Sequence, residues 1–152
     1  MFYDLKLEEQ KQQPVLSVRV RTTIEELPNM IGKNYGAIMA YMSELGEQPI
    51  SAPYTAYYTL DMQDMDVEMG FPVAARLPGK DEIQAGSLPE GKSVSCMYQG
   101  AYSEMEEPYK EIMQWIADHG YEPTGVYYEY YFNSPAEVPE SELLTKIVIP
   151  LK

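Results

Sequence analysis

The feature that most constrains the fold is an internal repeat. Residues of the first half recur in the second half 74 positions later. The matching pairs are Tyr35 and Tyr109, Ile38 and Ile112, Met39 and Met113, Tyr41 and Trp115, Gly46 and Gly120, Pro49 and Pro123, and Tyr57 and Tyr131. Residues 69–73 (MGFPV) align with residues 147–151 (IVIPL) at a spacing of 78, which predicts a four-residue insertion in the loop 133–142. Recurrence at a fixed spacing is typical of a duplicated structural unit.

Hydrophobic periodicity predicts the same order of elements in both halves. The first half reads as a strand at 15–21, a helix at about 34–45 that ends at Gly46, and strands at 54–60 and 67–73; the second half reads as a strand at 93–98, a helix at 105–119, and strands at 125–132 and 144–151. Prolines and glycines make 77–92 a connecting loop. We therefore predict an α+β fold of one domain (1–152): two βαββ repeats (about 15–75 and 93–152) with pseudo-twofold symmetry. Their antiparallel sheet should carry the helices on one face, and a central ligand cleft should lie on the other.

Charge and composition exclude several classes of function. The 152 residues carry 11 Lys and Arg against 24 Asp and Glu, a net charge of −13, which disfavours binding to nucleic acids and to anionic membranes and favours cationic partners. With one Cys96 and one His119, the chain has neither a disulfide nor a common zinc site, so we expect no metal and no cofactor. No apolar leader or bilayer-spanning run is present in the sequence, and we expect a cytoplasmic protein.

A lone carboxylate lies within an aromatic strand, residues 127–132 (YYEYYF). Alternation places Tyr127, Glu129 and Tyr131 on one face. Because an unpaired buried carboxylate is costly, we expect this face to lie opposite the helices. Glu129 is then either a solvated surface residue or, with its aromatic neighbours, a receptor for an organic cation.

Other candidates are less specific. Trp115 lies at helical spacing, where an aromatic residue belongs to a core more often than to a ligand site. Met69 and Phe71 share one face of their strand, which faces either the core or the cleft. His119 is expected to end its helix, and Cys96 to be an inert core residue.

Four segments together resemble the GyrI-like small-molecule-binding domain, the family that also supplies effector domains of AraC-type and MerR-type regulators. They are residues 69–73, 113–121 (MQWIADHGY), 129–135 (EYYFNSP) and 145–150 (TKIVIP). The resemblance implies a cleft that binds hydrophobic, often cationic, drug-like molecules, with Glu129 at the family's acidic position and Tyr131 beside it. By the repeat, Thr55 stands where Glu129 stands, and Tyr57 should line the opposite wall.

Three hypotheses follow from the residues and the resemblance. The first is a stand-alone module that senses or sequesters a hydrophobic organic cation; the residues before 15 are too few for a helix-turn-helix, so DNA contact requires a partner. The second is a hydrolase of strained electrophiles in which Glu129 is the general base. The third is an acidic inhibitor that binds a gyrase-like protein partner. The sequence leaves the ligand and the oligomeric state open.

Overall fold

A computed structural model describes residues 4–59 and 61–152. Leu60, the last residue of the strand predicted at 54–60, lies outside the described residues. In this part of the chain the strands are β1 (Lys6–Gln10), β2 (Gln13–Thr22), β3 (Tyr54–Tyr57), β4 (Met65–Pro72), β5 (Gln84–Leu88), β6 (Gly91–Gln99), β7 (Tyr127–Tyr131) and β8 (Leu144–Pro150). The α-helices are α1 (Leu27–Glu44) and α2 (Glu106–Asp118), and short 3-10 turns lie at Tyr102–Glu104 and Glu140–Glu142.

The chain divides into two compact units. The first-repeat unit is Lys11–Glu90, and the second-repeat unit combines the described residues up to Gln10 with Gly91–Lys152. Their strands pair antiparallel in the orders β3-β4-β2-β5 and β1-β6-β8-β7, respectively. Each unit has one helix packed on one sheet face, so the predicted α+β fold and its duplicated βαββ order are confirmed.

Each helix packs against the sheet of its own unit through apolar side chains. In the first-repeat unit, Ile38, Tyr41 and Met42 of α1 form a buried cluster with Leu16, Val18, Phe71 and Val73. In the second-repeat unit, Ile112 and Ile116 of α2 form the equivalent cluster with Val94, Cys96, Ile147 and Ile149. The core role predicted for Cys96 is confirmed. Met39 of α1, by contrast, is 43% exposed.

The strand registers confirm the duplication and its two spacings. Thr55 of β3 lies opposite Met69 of β4, and Glu129 of β7 lies opposite Ile147 of β8. Thr55 and Glu129 are 74 residues apart in the sequence, and Met69 and Ile147 are 78 residues apart. The four extra residues therefore lie between β7 and β8, where the insertion was predicted.

Two strands were not predicted, and they are arranged reciprocally. β1 precedes the first repeat but pairs with β6 of the second, from Lys6 opposite Ser95 to Gln10 opposite Gly91. β5, in the region predicted as a loop (77–92), pairs with β2 from Gln84 opposite Ser17 to Leu88 opposite Gln13. β1 thus lies before the first repeat but pairs with the second, and β5 lies before the second repeat but pairs with the first.

The helix boundaries follow from their end residues. α1 starts earlier than predicted, with a proline in its first turn, where the missing N–H costs nothing. Thr23 Oγ1 accepts a hydrogen bond from the Glu26 N–H at 3.3 Å just before that turn. Gly46 (φ +70°), as predicted, and Gly120 (φ +74°) follow the helices in the left-handed conformation that glycine adopts most easily. Neither α-helix in the described ranges is long and apolar enough to cross a bilayer.

Candidate functional site

Glu129 lies on the face of the second-repeat sheet that α2 covers. It pairs with Ile147, and Ile147 packs against Ile112 and Ile116 of the helix. The expectation that Glu129 faces away from the helices is therefore wrong. The other face is not an open surface either, because Ser93, Ser95 and Tyr128 on that side are buried as well.

Two tyrosine hydroxyls hold the Glu129 carboxylate. Tyr109 of α2 donates a hydrogen bond to Oε2, and Tyr131 of β7 donates to Oε1 at 2.8 Å. Glu129 is 9% exposed. Hydrogen bonds to an ionised acceptor are about twice as strong as neutral ones, so they offset part of the cost of burying the charge. This is the physical reason why the carboxylate can face the helix.

Two further aromatic rings pack against the tyrosines that bind this carboxylate. The Tyr109 and Tyr127 rings meet edge to face with centroids 6.2 Å apart, and the Tyr102 and Tyr131 rings do so at 5.9 Å. Burial, and secondly the charge of Glu129, raise the pKa of the Tyr102 phenol. Tyr102 is nevertheless 41% exposed. We call Glu129 with Tyr102, Tyr109, Tyr127 and Tyr131 the Glu129 site.

The first-repeat unit has the same contact between a helix tyrosine and the strand residue, without the charge. Tyr35 of α1 is hydrogen-bonded to Thr55 Oγ1 at 2.9 Å and donates to the Tyr54 carbonyl at 2.6 Å. Tyr35 and Thr55 occupy the positions of Tyr109 and Glu129 in the repeat. The helix-to-strand contact thus belongs to the duplicated fold, whereas a carboxylate at this position is a property of the second unit alone.

The remaining predicted residues of the first-repeat unit lie on its α1 side. Tyr57 packs beside Val67 and Met69. The buried Asn34 side chain lies 3.4 Å from the Met69 sulfur. Phe71 lies in the cluster with Ile38 and meets the Tyr35 ring edge to face at 5.3 Å. Met69 and Phe71 therefore do share a face, as predicted, and it is the core face.

Trp115 lies at the C-terminal end of α2. Its ring stacks on His119 with centroids 3.9 Å apart and lies nearly parallel to the Tyr121 ring at 6.1 Å. His119 caps the helix, as predicted, and its Nδ1 lies 2.8 Å from the Trp115 carbonyl oxygen. Trp115 also packs, partly buried, against the core cluster of the second-repeat unit.

A second tyrosine-bound carboxylate was missed by the sequence analysis. Glu68 accepts hydrogen bonds from Tyr54 and Tyr58, the latter at 2.8 Å. Here a cation is already present: the Arg19 guanidinium lies 3.8 Å from the Tyr58 ring centroid and forms a two-point ion pair with Asp66. That hydrogen-bonded pairing lowers the pKa of Asp66. Within the described residues, no group of three or more His, Cys, Asp or Glu is placed to hold a metal ion.

A tandem βαββ fold with a buried, tyrosine-bound glutamate on β7 can be compared with known families. The profile of the GyrI-like small molecule binding domain matches residues 3–152. The chain belongs to this GyrI-like family. A comparison with curated protein sequences gives no match.

Solved structures with the same fold include proteins of different kinds. The EcmrR C-terminal domain aligns at a TM-score of 0.82 and 22% identity, over 100% of this chain and 99% of that one. A hydrolase from Listeria innocua aligns at 0.73 and 15%, over 97% and 91%. SAV2435 bound to tetraphenylphosphonium aligns at 0.69 and 13%, over 100% and 94%. At these identities the likeness shows a shared fold.

In this GyrI-like domain, three of the predicted residues belong to one site: Tyr127, Glu129 and Tyr131. Tyr109 was not predicted, although the sequence held a signal for it. The separation of 20 positions between Tyr109 and Glu129 equals that between Tyr35 and Thr55. Because the repeat preserves this separation, a helix tyrosine and a strand residue 20 positions later are expected to meet in both units.

Proposed function

We propose that this GyrI-like domain binds hydrophobic organic cations and that Glu129 meets their positive charge. The observation that carries the proposal is the buried carboxylate with Tyr109 and Tyr131 hydroxyls on its two oxygens. Hydrogen bonds from such donors favour the ionised form. In surroundings less polar than water, that negative charge attracts a cation more strongly than an exposed carboxylate does.

The aromatic rings of the Glu129 site supply the second part of the recognition. A cation over a tyrosine face gains about 0.5–2 kcal/mol, depending on its exposure, and the apolar groups of the ligand gain from burial. The net charge of −13 steers cations towards the protein. A protein of the same fold bound to tetraphenylphosphonium supports this class of ligand.

The test uses two probes of the same shape and opposite charge, tetraphenylphosphonium and tetraphenylborate, in calorimetric titrations. We expect wild-type protein to bind the phosphonium in preference to the borate. Glu129→Gln keeps the side-chain shape and removes the charge, and should weaken phosphonium binding at least tenfold, or about 1.4 kcal/mol.

Glu68→Gln is the matched control, because Glu68 is also a carboxylate bound by two tyrosines but lies beside Arg19. It should leave phosphonium binding unchanged. Equal phosphonium binding by wild type and Glu129→Gln would contradict the proposal. An equal loss of phosphonium affinity in Glu129→Gln and Glu68→Gln would also contradict it.

Hydrolysis of a strained electrophile is the second candidate function. The observation that favours it is the direct contact between the buried Glu129 carboxylate and the Tyr109 phenol. These two groups would position a water molecule for attack on the electrophile. A protein of the same fold is named a hydrolase. Both oxygens of Glu129 already accept hydrogen bonds from phenols, however, which is why binding is proposed first. An epoxide that wild type consumes and Glu129→Gln does not would support hydrolysis; binding without product formation would support the binding module.

A further inference from the structure

Among the described residues, two buried hydroxyls have no hydrogen-bond partner: Ser93 Oγ and Thr145 Oγ1. Thr145 is 0% exposed. Leaving a buried polar group unsatisfied costs about 1–3 kcal/mol. Folded proteins retain few such groups, and each calls for an explanation.

Thr145 lies next to the Glu129 site. It pairs directly with Tyr131 across β7 and β8, and the face they share is the one that carries Glu129 and Ile147. Cβ atoms of directly opposed residues are about 4.5–5.5 Å apart, and diagonal neighbours such as Thr145 and Glu129 about 7–8 Å. A ligand whose positive centre lies at Glu129 therefore has Thr145 within the reach of one of its substituents.

The duplicated unit shows that the fold does not need this hydroxyl. Val67 occupies the position of Thr145 in the first repeat, 78 residues earlier, and pairs with Tyr57 as Thr145 pairs with Tyr131. Val67 is also 0% exposed. Valine and threonine have nearly the same shape, so the same packing accepts a methyl group at this position. The hydroxyl appears only in the unit that also carries the carboxylate.

We propose that Thr145 Oγ1 is a specificity-determining contact of the Glu129 site, which selects cations that also carry a hydrogen-bonding group. This inference rests on the proposed function. Thr145 is fully buried and pairs with Tyr131, so a ligand reaches Thr145 Oγ1 only when the Tyr131 ring is displaced and the positive group of the ligand replaces the Tyr131 hydrogen bond to Glu129. Thr145 Oγ1, which has no hydrogen-bond partner among the described residues, then forms a hydrogen bond to the ligand.

The test compares tetraphenylphosphonium with (4-hydroxyphenyl)triphenylphosphonium, which differ by one hydroxyl. We expect wild type to prefer the hydroxylated cation roughly fivefold, the range of one net hydrogen bond. Thr145→Val should abolish this preference, whereas Thr145→Ser, which keeps a hydroxyl, should retain it. Since Thr145→Val removes an unsatisfied group without a change of shape, its ligand-free melting temperature should be equal to or higher than that of wild type.

Ser93→Ala is the matched control, because Ser93 is the other unpartnered hydroxyl and lies on the opposite sheet face, where Glu8 pairs with it. It should leave the preference intact. If wild type binds both cations equally, or Thr145→Val keeps the preference, the role of Thr145 is refuted while the cation site stands. If wild type binds neither cation, the proposed function and this inference both fail.

Discussion

Removal of the Tyr109 hydroxyl tests whether Glu129 is held as a buried anion. Tyr109→Phe deletes the hydrogen bond to Oε2 and leaves a carboxylate that is 9% exposed with one phenol donor fewer. A hydrogen bond to a charged group contributes about 1.5–3 kcal/mol, against about 0.5–1.5 kcal/mol for a neutral one. We therefore expect Tyr109→Phe to lower the free energy of unfolding by about 1.5–3 kcal/mol at pH 7.

The assay is urea unfolding of wild type, Tyr109→Phe, Glu129→Gln and the double variant. In the double-mutant cycle, the amide that Glu129→Gln introduces accepts only a neutral hydrogen bond, so the coupling energy should be about 1 kcal/mol or more. Tyr98→Phe is the control, because Tyr98 donates to the neutral carbonyl of Ala101 at 2.8 Å. It should cost about 0.5–1.5 kcal/mol and add independently to Glu129→Gln.

The reasoning is refuted if Tyr109→Phe costs no more than Tyr98→Phe, or if its effect is the same in the wild-type and Glu129→Gln backgrounds. Either result would mean that Glu129 does not hold its charge against the Tyr109 hydroxyl in the folded protein.

Three further predictions concern other parts of the fold. Gly70→Ala places a Cβ 2.6 Å from the Leu16 carbonyl oxygen and 2.9 Å from the Tyr54 hydroxyl, and should cost about 1–3 kcal/mol in urea unfolding. Burial raises the pKa of the Cys96 thiol to about 11, so a thiol reagent at pH 8 should modify it only after denaturation. The Arg19 hydrogen bonds lower the pKa of Asp66 below its ordinary value of 3.8. The ion pair therefore stabilises the folded protein fully above pH 3.8, and this contribution is lost as the pH falls through the lowered pKa of Asp66. In acid titrations of stability, Asp66→Asn should lose less stability over this pH range than wild type.

Each of these predictions has a result that would contradict it. Gly86→Ala, whose added Cβ meets only the Val15 Cγ2 at 3.8 Å, is the control for Gly70→Ala, and an equal cost for both would rule out the crowding argument. Rapid modification of native protein would contradict the burial of Cys96. An unchanged acid profile in Asp66→Asn would mean that the Arg19 pair contributes nothing measurable.

The duplicated βαββ order could be predicted because the spacing of apolar residues along the sequence directly indicates helices and strands. Apolar residues at helical spacing identified α2 almost to the residue, and Gly46 and His119 marked the ends of the two helices. The strands β1 and β5 could not be predicted in this way. Their sequences, KLEEQ and QAGSL, are poor in strand-forming residues. They form strands because β6 and β2 offer free edges to pair with.

The orientation of β7 was predicted incorrectly for a related reason. Alternation correctly grouped Tyr127, Glu129 and Tyr131, but the choice of face depended on the cost of burying a carboxylate. That cost is reduced by Tyr109, which lies on another element, 20 residues away. Period within a strand carries no information about a hydrogen bond that a helix donates. Thr145 was not predicted as a site residue because it lies near Glu129 through its pairing with Tyr131 across the sheet, and its neighbours in sequence give no sign of this pairing.

The reciprocal pairing of β1 and β5 has a consequence for the order of folding. β1 must pair with β6 across the segment between Gln10 and Gly91, and closing so long a loop early in folding is entropically costly. The first-repeat unit can form as soon as β5 leaves the ribosome, and its pairing of Gln13 with Leu88 holds the two ends of that segment together. Gln10 and Gly91 lie only three residues beyond these partners. The folded first repeat therefore converts a distant strand pairing into a nearly local one, and a variant that weakens β5 should slow the folding of the second-repeat unit.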